Sequence, residues 1–478
     1  MITGNLSQAD PTNLRALREA LAASDPDGRL APIGMSRIEI GPKALGLLPE
    51  VVSNLARGKR VVLVADATPM SRNGEDLKEL AAQLLEEGLE LRRSVIGSRR
   101  EGELHADEEA LAETEQAVDG TDCVVVVGSG TITDLCKDAT RRRGSPPLVV
   151  VQTAASVNAF SDDMSVLLKE GTKRTVPSRW PDALLIDLPT LADAPPAMNL
   201  AGFGDLLAMW TAPADWYLAS AVGMDDSYHP APVAMLYKHG RELLDDARAL
   251  GQRNPKVLDR LARLLTLSGI TLGVAGKTAP LSGTEHLVSH LLDMNAEQHD
   301  LPLAFHGAQV GVATVPVSAA WEALLSKLDP AKVDLHNCFP ELKAMEPLVY
   351  ETFAELDPTG RIGEECWSDY SQKLARWREC RPQLEAFLAD WPRHRAELTE
   401  MVLPPEKLGR ALKEAGAPSR FGDLDPPASE EIAFWALRNC HLMRNRFTLA
   451  DLIFFLGWWE DAFVERLFER AHSAGGGL

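Results

Sequence analysis

One carboxylate and two imidazoles lie close to glycines: Asp205 in Ala201-Gly-Phe-Gly-Asp205, His286 in Ser282-Gly-Thr-Glu-His286, and His306 in Phe305-His306-Gly307. A structural zinc site closes its shell with four protein ligands, whereas three N/O ligands leave a position for water or substrate. The set therefore reads as a catalytic divalent-metal site. Each residue also has a plainer reading. Asp205 can cap a helix that begins at Leu206, since Asp is a favoured N-cap. His290 follows His286 by four residues, so on one helix both can face a metal, or one can be a core or surface histidine. His306 can be a loop histidine bonded to a backbone carbonyl. His229, His239, His299 and His336 read as surface or structural.

A second kind of chemistry is suggested by Val124-Val-Val-Val-Gly-Ser-Gly-Thr-Ile-Thr-Asp-Leu-Cys-Lys137, where an apolar strand runs into a glycine turn and a helix. Gly128, Ser129 and Gly130 allow close approach of a pyrophosphate, and the first helical amides, from Thr131, point N–H groups and a positive dipole end at it. The spacing is not G-x-G-x-x-G, and a purely structural strand-to-helix turn uses such glycines too. Asp134 and Lys137, one turn apart, share a helix face; their plain reading is an (i, i+3) ion pair worth a few tenths of a kcal/mol. Asp66 ends an early strand, where a carboxylate can accept ribose hydroxyls and disfavour a 2′-phosphate, or can start a turn. Lys173, Arg174 and Arg179 can hold a substrate phosphate or form a solvated hairpin. Arg141 to Arg143 complement a helix C-terminus, and Trp458-Trp459 reads as packing.

The elements that must position these groups change character near residue 190. Before it, β-branched runs at Arg37 to Ile40, Arg60 to Val64, Cys123 to Val127, Leu148 to Val151 and Ala183 to Ile186 alternate with helical patterns at Leu77 to Leu85 and Glu108 to Val118. That alternation predicts a parallel, helix-covered sheet. Beyond it, Leu258 to Leu272, Pro316 to Leu328, Tyr370 to Leu388, Glu430 to Met443 and Leu449 to Arg470 carry apolar residues at helical spacing. Prolines around Asp187-Leu-Pro-Thr and Ala194-Pro-Pro mark the boundary. The expectation is an α/β chain of two domains: residues 1–190 a dinucleotide-binding domain, residues 191–478 an all-helical metal- and substrate-binding domain. The cofactor and the metal should then meet in a cleft. The terminal Ala474-Gly-Gly-Gly-Leu478 is expected to fray.

Composition narrows the function classes. The chain has 478 residues and a formal charge of −20, which argues against nucleic acid or an anionic membrane surface as partner. Six cysteines include no C-x-x-C pair, as expected of a reduced, cytoplasmic protein. The N-terminus has no basic region followed by an apolar core, and no uncharged apolar run reaches about 20 residues, so no membrane insertion is expected.

Together these pieces resemble the sn-glycerol-1-phosphate dehydrogenase branch, of the longer bacterial kind, of the iron-containing alcohol dehydrogenase and dehydroquinate synthase superfamily. The resemblance runs over nearly the whole chain. It includes Val62-Leu-Val-Ala-Asp66-Ala-Thr68, the glycine turn, Gln152-Thr-Ala-Ala-Ser-Val-Asn158, Lys173-Arg-Thr-Val-Pro177, Ala214-Asp-Trp216, the Asp and His segments, Leu412-Lys-Glu-Ala-Gly-Ala-Pro418 and Arg444-Asn-Arg-Phe-Thr-Leu449.

It implies a Rossmann-like domain followed by a helical domain of the dehydroquinate synthase-like kind. Metal ligands would be Asp205, His286 and His306, with His290 beside them or near the substrate. NAD or NADP would lie on Asp66, Gly128, Ser129, Gly130, Thr131, Asp134, Thr153 and Ser156, and Lys137 near the nicotinamide would join His290 and Asn158 as catalytic residues. The reaction implied is hydride transfer between the cofactor and a small keto or polyol phosphate, dihydroxyacetone phosphate giving sn-glycerol 1-phosphate. Zinc, nickel or iron suits the ligand set, and a homodimer is the commonest assembly.

One departure stands out: relatives carry a carboxylate after the Pro-Thr-Ala segment where this chain has Asn158. An amide orients a hydroxyl but accepts no proton. Either the proton leaves by way of water at the metal or a neighbouring histidine, or Asp162 or Asp163 compensates, or the substrate differs. Two other readings are a non-catalytic nucleotide or metabolite binder and an NAD-dependent sugar-phosphate cyclase.

Overall fold

The computed structural model describes residues 6–98, 104–169 and 172–478, with backbone alone at 169, 172 and 173. The side chain of Lys173, one of the three candidate phosphate-binding cations, lies outside the described residues. The chain forms two compact units, residues 1–203 with 230–277 and residues 204–229 with 278–478.

The first unit is built on six parallel strands: β1 (Arg37–Gly41), β2 (Arg60–Asp66), β3 (Glu90–Ile96), β4 (Cys123–Gly128), β5 (Leu148–Gln152) and β6 (Ala183–Asp187), in the order β1-β6-β5-β4-β2-β3. Every residue of β4, β5 and β6 is buried, as expected of parallel strands covered on both faces by helices. From β2 the chain first adds β3 on one side, then crosses to β4 on the other, so the topology reverses between β2 and β4. Ligands of open α/β sheets bind outside the carboxyl ends of strands at such a reversal. Val64 pairs with Val126, which brings Asp66 and Gly128, two residues further along each strand, to that edge.

Among the pieces of this unit without the apolar strand pattern are an edge strand and the hairpin that is the alternative reading of Lys173 and Arg174. Strand β3 reads Glu-Leu-Arg-Arg-Ser-Val-Ile and is mostly exposed, a charged edge strand of the kind that discourages pairing with other chains. An antiparallel hairpin, Met164–Lys169 with Thr172–Pro177, precedes β6.

The expected cut at residue 190 also moves. A long helix, Pro255–Ala275, packs with the sheet unit, because Gly269 and Gly273, four apart on one face, meet Ser161 and the Asn158 carbonyl, and the Trp180 ring, where a side chain would collide. Helical periodicity reports the element but not its partner.

The second unit is helical among its described residues, and its core holds Trp321, Tyr370, Trp377 and Phe421. Expected helices break where prolines and glycines stand. Tyr370 to Leu388 divides at Cys380, ahead of Pro382, and Leu449 to Arg470 divides at Gly457, whose φ is +77°. Conversely, Pro316 does not start a helix but sits inside His306–Lys327. That helix is, among the described residues, the one long and apolar enough to cross a membrane; 78% of the relevant stretch is buried inside the protein. The glycine tail does not fray: Phe421 N–H donates to the Gly477 carbonyl at 3.0 Å, and Gly476 lies against Val315. Trp459 is buried and donates its indole N–H to the Arg438 carbonyl, a packing role. All six cysteines are free and buried.

Candidate functional site

Within the second unit, helix α1 (Pro196–Leu206, the last turn of which belongs to this unit), helix α2 (Thr284–Gln298) and helix α3 (His306–Lys327) bring the three sequence-predicted ligands together. One ligand atom each from Asp205, His286 and His306 lies within 4.8 Å of the others. The approach of α1 to α3 depends on missing side chains: a Cβ at Gly204 would stand 2.3 Å from the Gly307 carbonyl oxygen, and one at Gly311 2.8 Å from Gly204 Cα. Asp205 and His306 are thus carried by helices in main-chain contact.

The N-cap reading of Asp205 does not hold, since the residue is the penultimate one of α1. There a carboxylate faces the negative end of the helix dipole, an unfavourable place without a cation. It is almost fully buried, and its ion-pair contact is the His286 ring, Nε2 to Oδ1 at 3.5 Å. The opposite ring nitrogen, Nδ1, lies 2.9 Å from Glu285 Oε1. Burial alone would depress His286, but hydrogen bonds to Asp205 and Glu285 outweigh it and raise the ring to about 9. This donor set, two nitrogens and a carboxylate oxygen, fits a divalent ion.

His290 stacks on His306 with ring centroids 5.7 Å apart and lies 6.5 Å from His286, outside the ligand group. Burial first, then the charges of His306, Arg444, His286 and Arg446, keep it well below the ordinary imidazole range. Sequence reasoning missed the polar frame behind the site. Asp215 accepts from the Thr284 N–H and hydroxyl and from the Leu449 N–H, tying the start of α2 to a distant helix, and burial pushes it up to about 7. Arg446 donates to Ser282 and Thr278. Only the segments Ala214-Asp-Trp216 and Arg444-Asn-Arg-Phe-Thr-Leu449 hinted at it.

In the first unit, Gly128 ends β4, Ser129 precedes helix α4 (Gly130–Arg142), and the Ser129 side chain makes no cap hydrogen bond. Neither glycine has a left-handed φ. What each provides is room: a Cβ at Gly128 would stand 2.1 Å from Ile132 Cγ2, and one at Gly130 3.0 Å from Val157 Cγ2. Thr153 N–H donates to the Gly128 carbonyl at 3.3 Å, so the loop carrying Thr153, Ser156 and Asn158 adjoins the turn that carries Thr131. Asp66 Oδ1 accepts the Thr68 N–H at 2.9 Å, the turn alternative, leaving its second oxygen.

Asp134 and Lys137 do not face this edge openly. Lys137 is completely buried; its Nζ lies 2.5 Å from Asp162 Oδ1 and 3.5 Å from Asp134 Oδ1, and it donates to the Ala159 and Met164 carbonyls. Burial would lower its pKa, but the two carboxylates raise it. Lys137 clamps the segment after Asn158, and its main partner lies 25 residues away, out of reach of any helix-spacing argument. Asp162, named above as a group that could compensate for Asn158, is engaged by Lys137 and by the Met164 N–H. Arg179 is held by Asp182 and the Pro146 carbonyl, and Arg141 to Arg143 pair with Asp138 and Glu115.

Residues 39–195 match the iron-containing alcohol dehydrogenase family. The glycerol-1-phosphate dehydrogenase [NAD(P)+] of Bacillus subtilis (strain 168) is 30% identical over 297 residues, 61% of this chain and 73% of that protein. The Aeropyrum pernix protein of the same name is 32% identical over 281 residues, 58% of this chain and 75% of its own. Among solved structures, glycerol dehydrogenase from Schizosaccharomyces pombe matches with a TM-score of 0.55 at 14% identity, over 91% of both chains, a likeness of fold.

Proposed function

The chain belongs to the glycerol-1-phosphate dehydrogenase family of iron-containing alcohol dehydrogenases, and on that premise we propose that it moves hydride between a nicotinamide cofactor and a small keto or polyol phosphate. Dihydroxyacetone phosphate and sn-glycerol 1-phosphate are the pair that the relatives' name supports. The protein is an oxidoreductase; the observation that carries the finer reading is the gathering of Asp205, His286 and His306 within 4.8 Å.

A divalent ion supplies Lewis acidity and the nicotinamide supplies hydride. The chain's own groups do the rest. Asp205, His286 and His306 hold the ion, zinc in our reading, although the ligand set also suits nickel and iron. The amides from Gly130 to Ile132 receive the pyrophosphate, flanked by Ser129, Thr153 and Ser156. The second oxygen of Asp66 takes a ribose hydroxyl and favours NAD over NADP. Asn158 orients a substrate hydroxyl, and His290 stands beside the ligands. A homodimer is proposed on general grounds.

A dehydrogenase assay across short ketose and polyol phosphates, with NAD and NADP, tests the reading. Net change in reduced cofactor supports it, whereas binding without turnover points to the non-catalytic alternative that Asn158 suggests. Two variants sharpen the test. Gly130→Val, whose branched side chain must displace Val157 and cover the first helical amides, is expected to weaken NAD binding by at least about tenfold, ~1.4 kcal/mol, with metal content unchanged. Calorimetric titration measures it; parent-like affinity would make the turn structural only. Asn158→Asp is expected to shift the pH profile of turnover, because it adds a titratable group near the reacting carbon. Identical rates and profiles on every substrate would show that the residue is remote from the chemistry.

A further inference from the structure

A histidine ligand binds through whichever ring nitrogen lacks a proton, and the hydrogen bond on the other nitrogen decides which one that is. Both candidate histidines have that bond. Glu285 Oε1 lies 2.9 Å from His286 Nδ1 and also accepts the Gly283 N–H at 2.7 Å, while Oε2 accepts the Thr211 hydroxyl at 2.8 Å. Glu285 is fully buried, so its carboxylate cannot swing away. Because a carboxylate only accepts, Nδ1 of His286 carries the proton, and Nε2 is the atom facing Asp205.

The second ring is governed by a relay. Ser289 Oγ lies 3.0 Å from His306 Nδ1, and the Ser289 hydroxyl donates to Gln309 Oε1 at 2.6 Å. A hydroxyl has one proton; with that proton directed to Gln309, Ser289 accepts from His306, which makes Nδ1 the protonated nitrogen here too. Ser289 and Gln309 are buried. Helix α2 therefore carries one ligand, the group that orients it, and the group that orients the other ligand.

We propose that Glu285, Ser289 and Gln309 are positioning residues that fix both imidazoles as Nδ1–H tautomers, turning two Nε2 lone pairs and the Asp205 carboxylate toward one divalent cation. The proposal rests on the metal reading above and adds the residues that prepare the ligands before the ion arrives.

Zinc affinity by competition with a chelating dye, together with nitrogen chemical shifts of ¹⁵N-histidine protein, tests it. Ser289→Ala and Glu285→Leu are expected to bind zinc about 10- to 100-fold more weakly than the parent. Glu285→Gln, which keeps an acceptor at Oε1, should recover most of that loss. Gln309→Met, close in volume, releases the Ser289 hydroxyl to donate to Nδ1, so the neutral His306 ring in zinc-free protein should change from Nδ1–H to Nε2–H. This readout does not depend on turnover, and it stands even if Glu285→Leu fails to fold. Parent-like zinc affinity in the folded Ser289→Ala and Glu285→Leu proteins, or an Nε2–H ring at His306 in the zinc-free parent, would overturn the proposal alone. A parent that binds neither zinc, nickel nor iron would overturn the metal reading itself.

Discussion

His306→Ala is expected to lose its divalent ion and to turn over at least about a thousandfold more slowly, ~4 kcal/mol of barrier, while binding NAD as the parent does. The substitution leaves Asp205 and His286 as the remaining members of the ligand group, one carboxylate and one imidazole. The glycine turn, Gly128 to Thr131, belongs to the other unit, so nucleotide affinity should be preserved. His290→Ala serves as control: its ring lies 5.7 Å from that of His306 but outside the ligand group, and the variant should keep the metal. Elemental analysis of purified protein and titration with NAD read both quantities. Full metal occupancy in His306→Ala would remove His306 from the ligand set.

Lys137→Met is expected to show its effect in stability, by about 3–5 kcal/mol, the range for removing one partner of a buried ion pair. The variant leaves Asp134 and Asp162 buried without their cation and deprives the Ala159 and Met164 carbonyls of a donor. The loss should depend on pH. In the parent, burial already pushes Asp134 up to about 7, with Lys137 opposing and Asp162 reinforcing the shift. Without the ammonium both carboxylates move further up. A carboxyl raised in the folded state favours folding most when protonated in both states, and that advantage falls as pH rises and the unfolded chain ionises. The deficit of Lys137→Met relative to the parent should therefore be smaller near about pH 5 than near about pH 8. Chemical denaturation at the two pH values measures it. An unaltered denaturation midpoint with lost turnover would return Lys137 to the cofactor.

What the sequence revealed follows from where the physical signal is local. Strands β4 and β5 are uninterrupted apolar runs because they are covered on both faces, and they could be read directly; β3 could not, because its edge position favours Arg92 and Arg93 over a regular alternation. The three candidate ligands, Asp205, His286 and His306, could be singled out because each stands close to a glycine within a segment that resembles the family. Their orienting groups could not: Glu285 and Ser289 look like ordinary helix residues until the side chains facing them are known. The Lys137–Asp162 pair and the packing of Pro255–Ala275 on the sheet unit are long-range facts, and periodicity carries no information about them.

The contact of Gly204 with Gly307 and Gly311 has a consequence for how this protein tolerates sequence drift. Side chains in a core repack around one another, so a spacing set by them wanders as they are exchanged. The distance between the helices bearing Asp205 and His306 is set instead by main chain against main chain, which no exchange of neighbouring side chains rescales. The ligand geometry is thus insulated from most of the surrounding core. Its vulnerability is concentrated at Gly204 and Gly311, where even one added methyl group would part the helices.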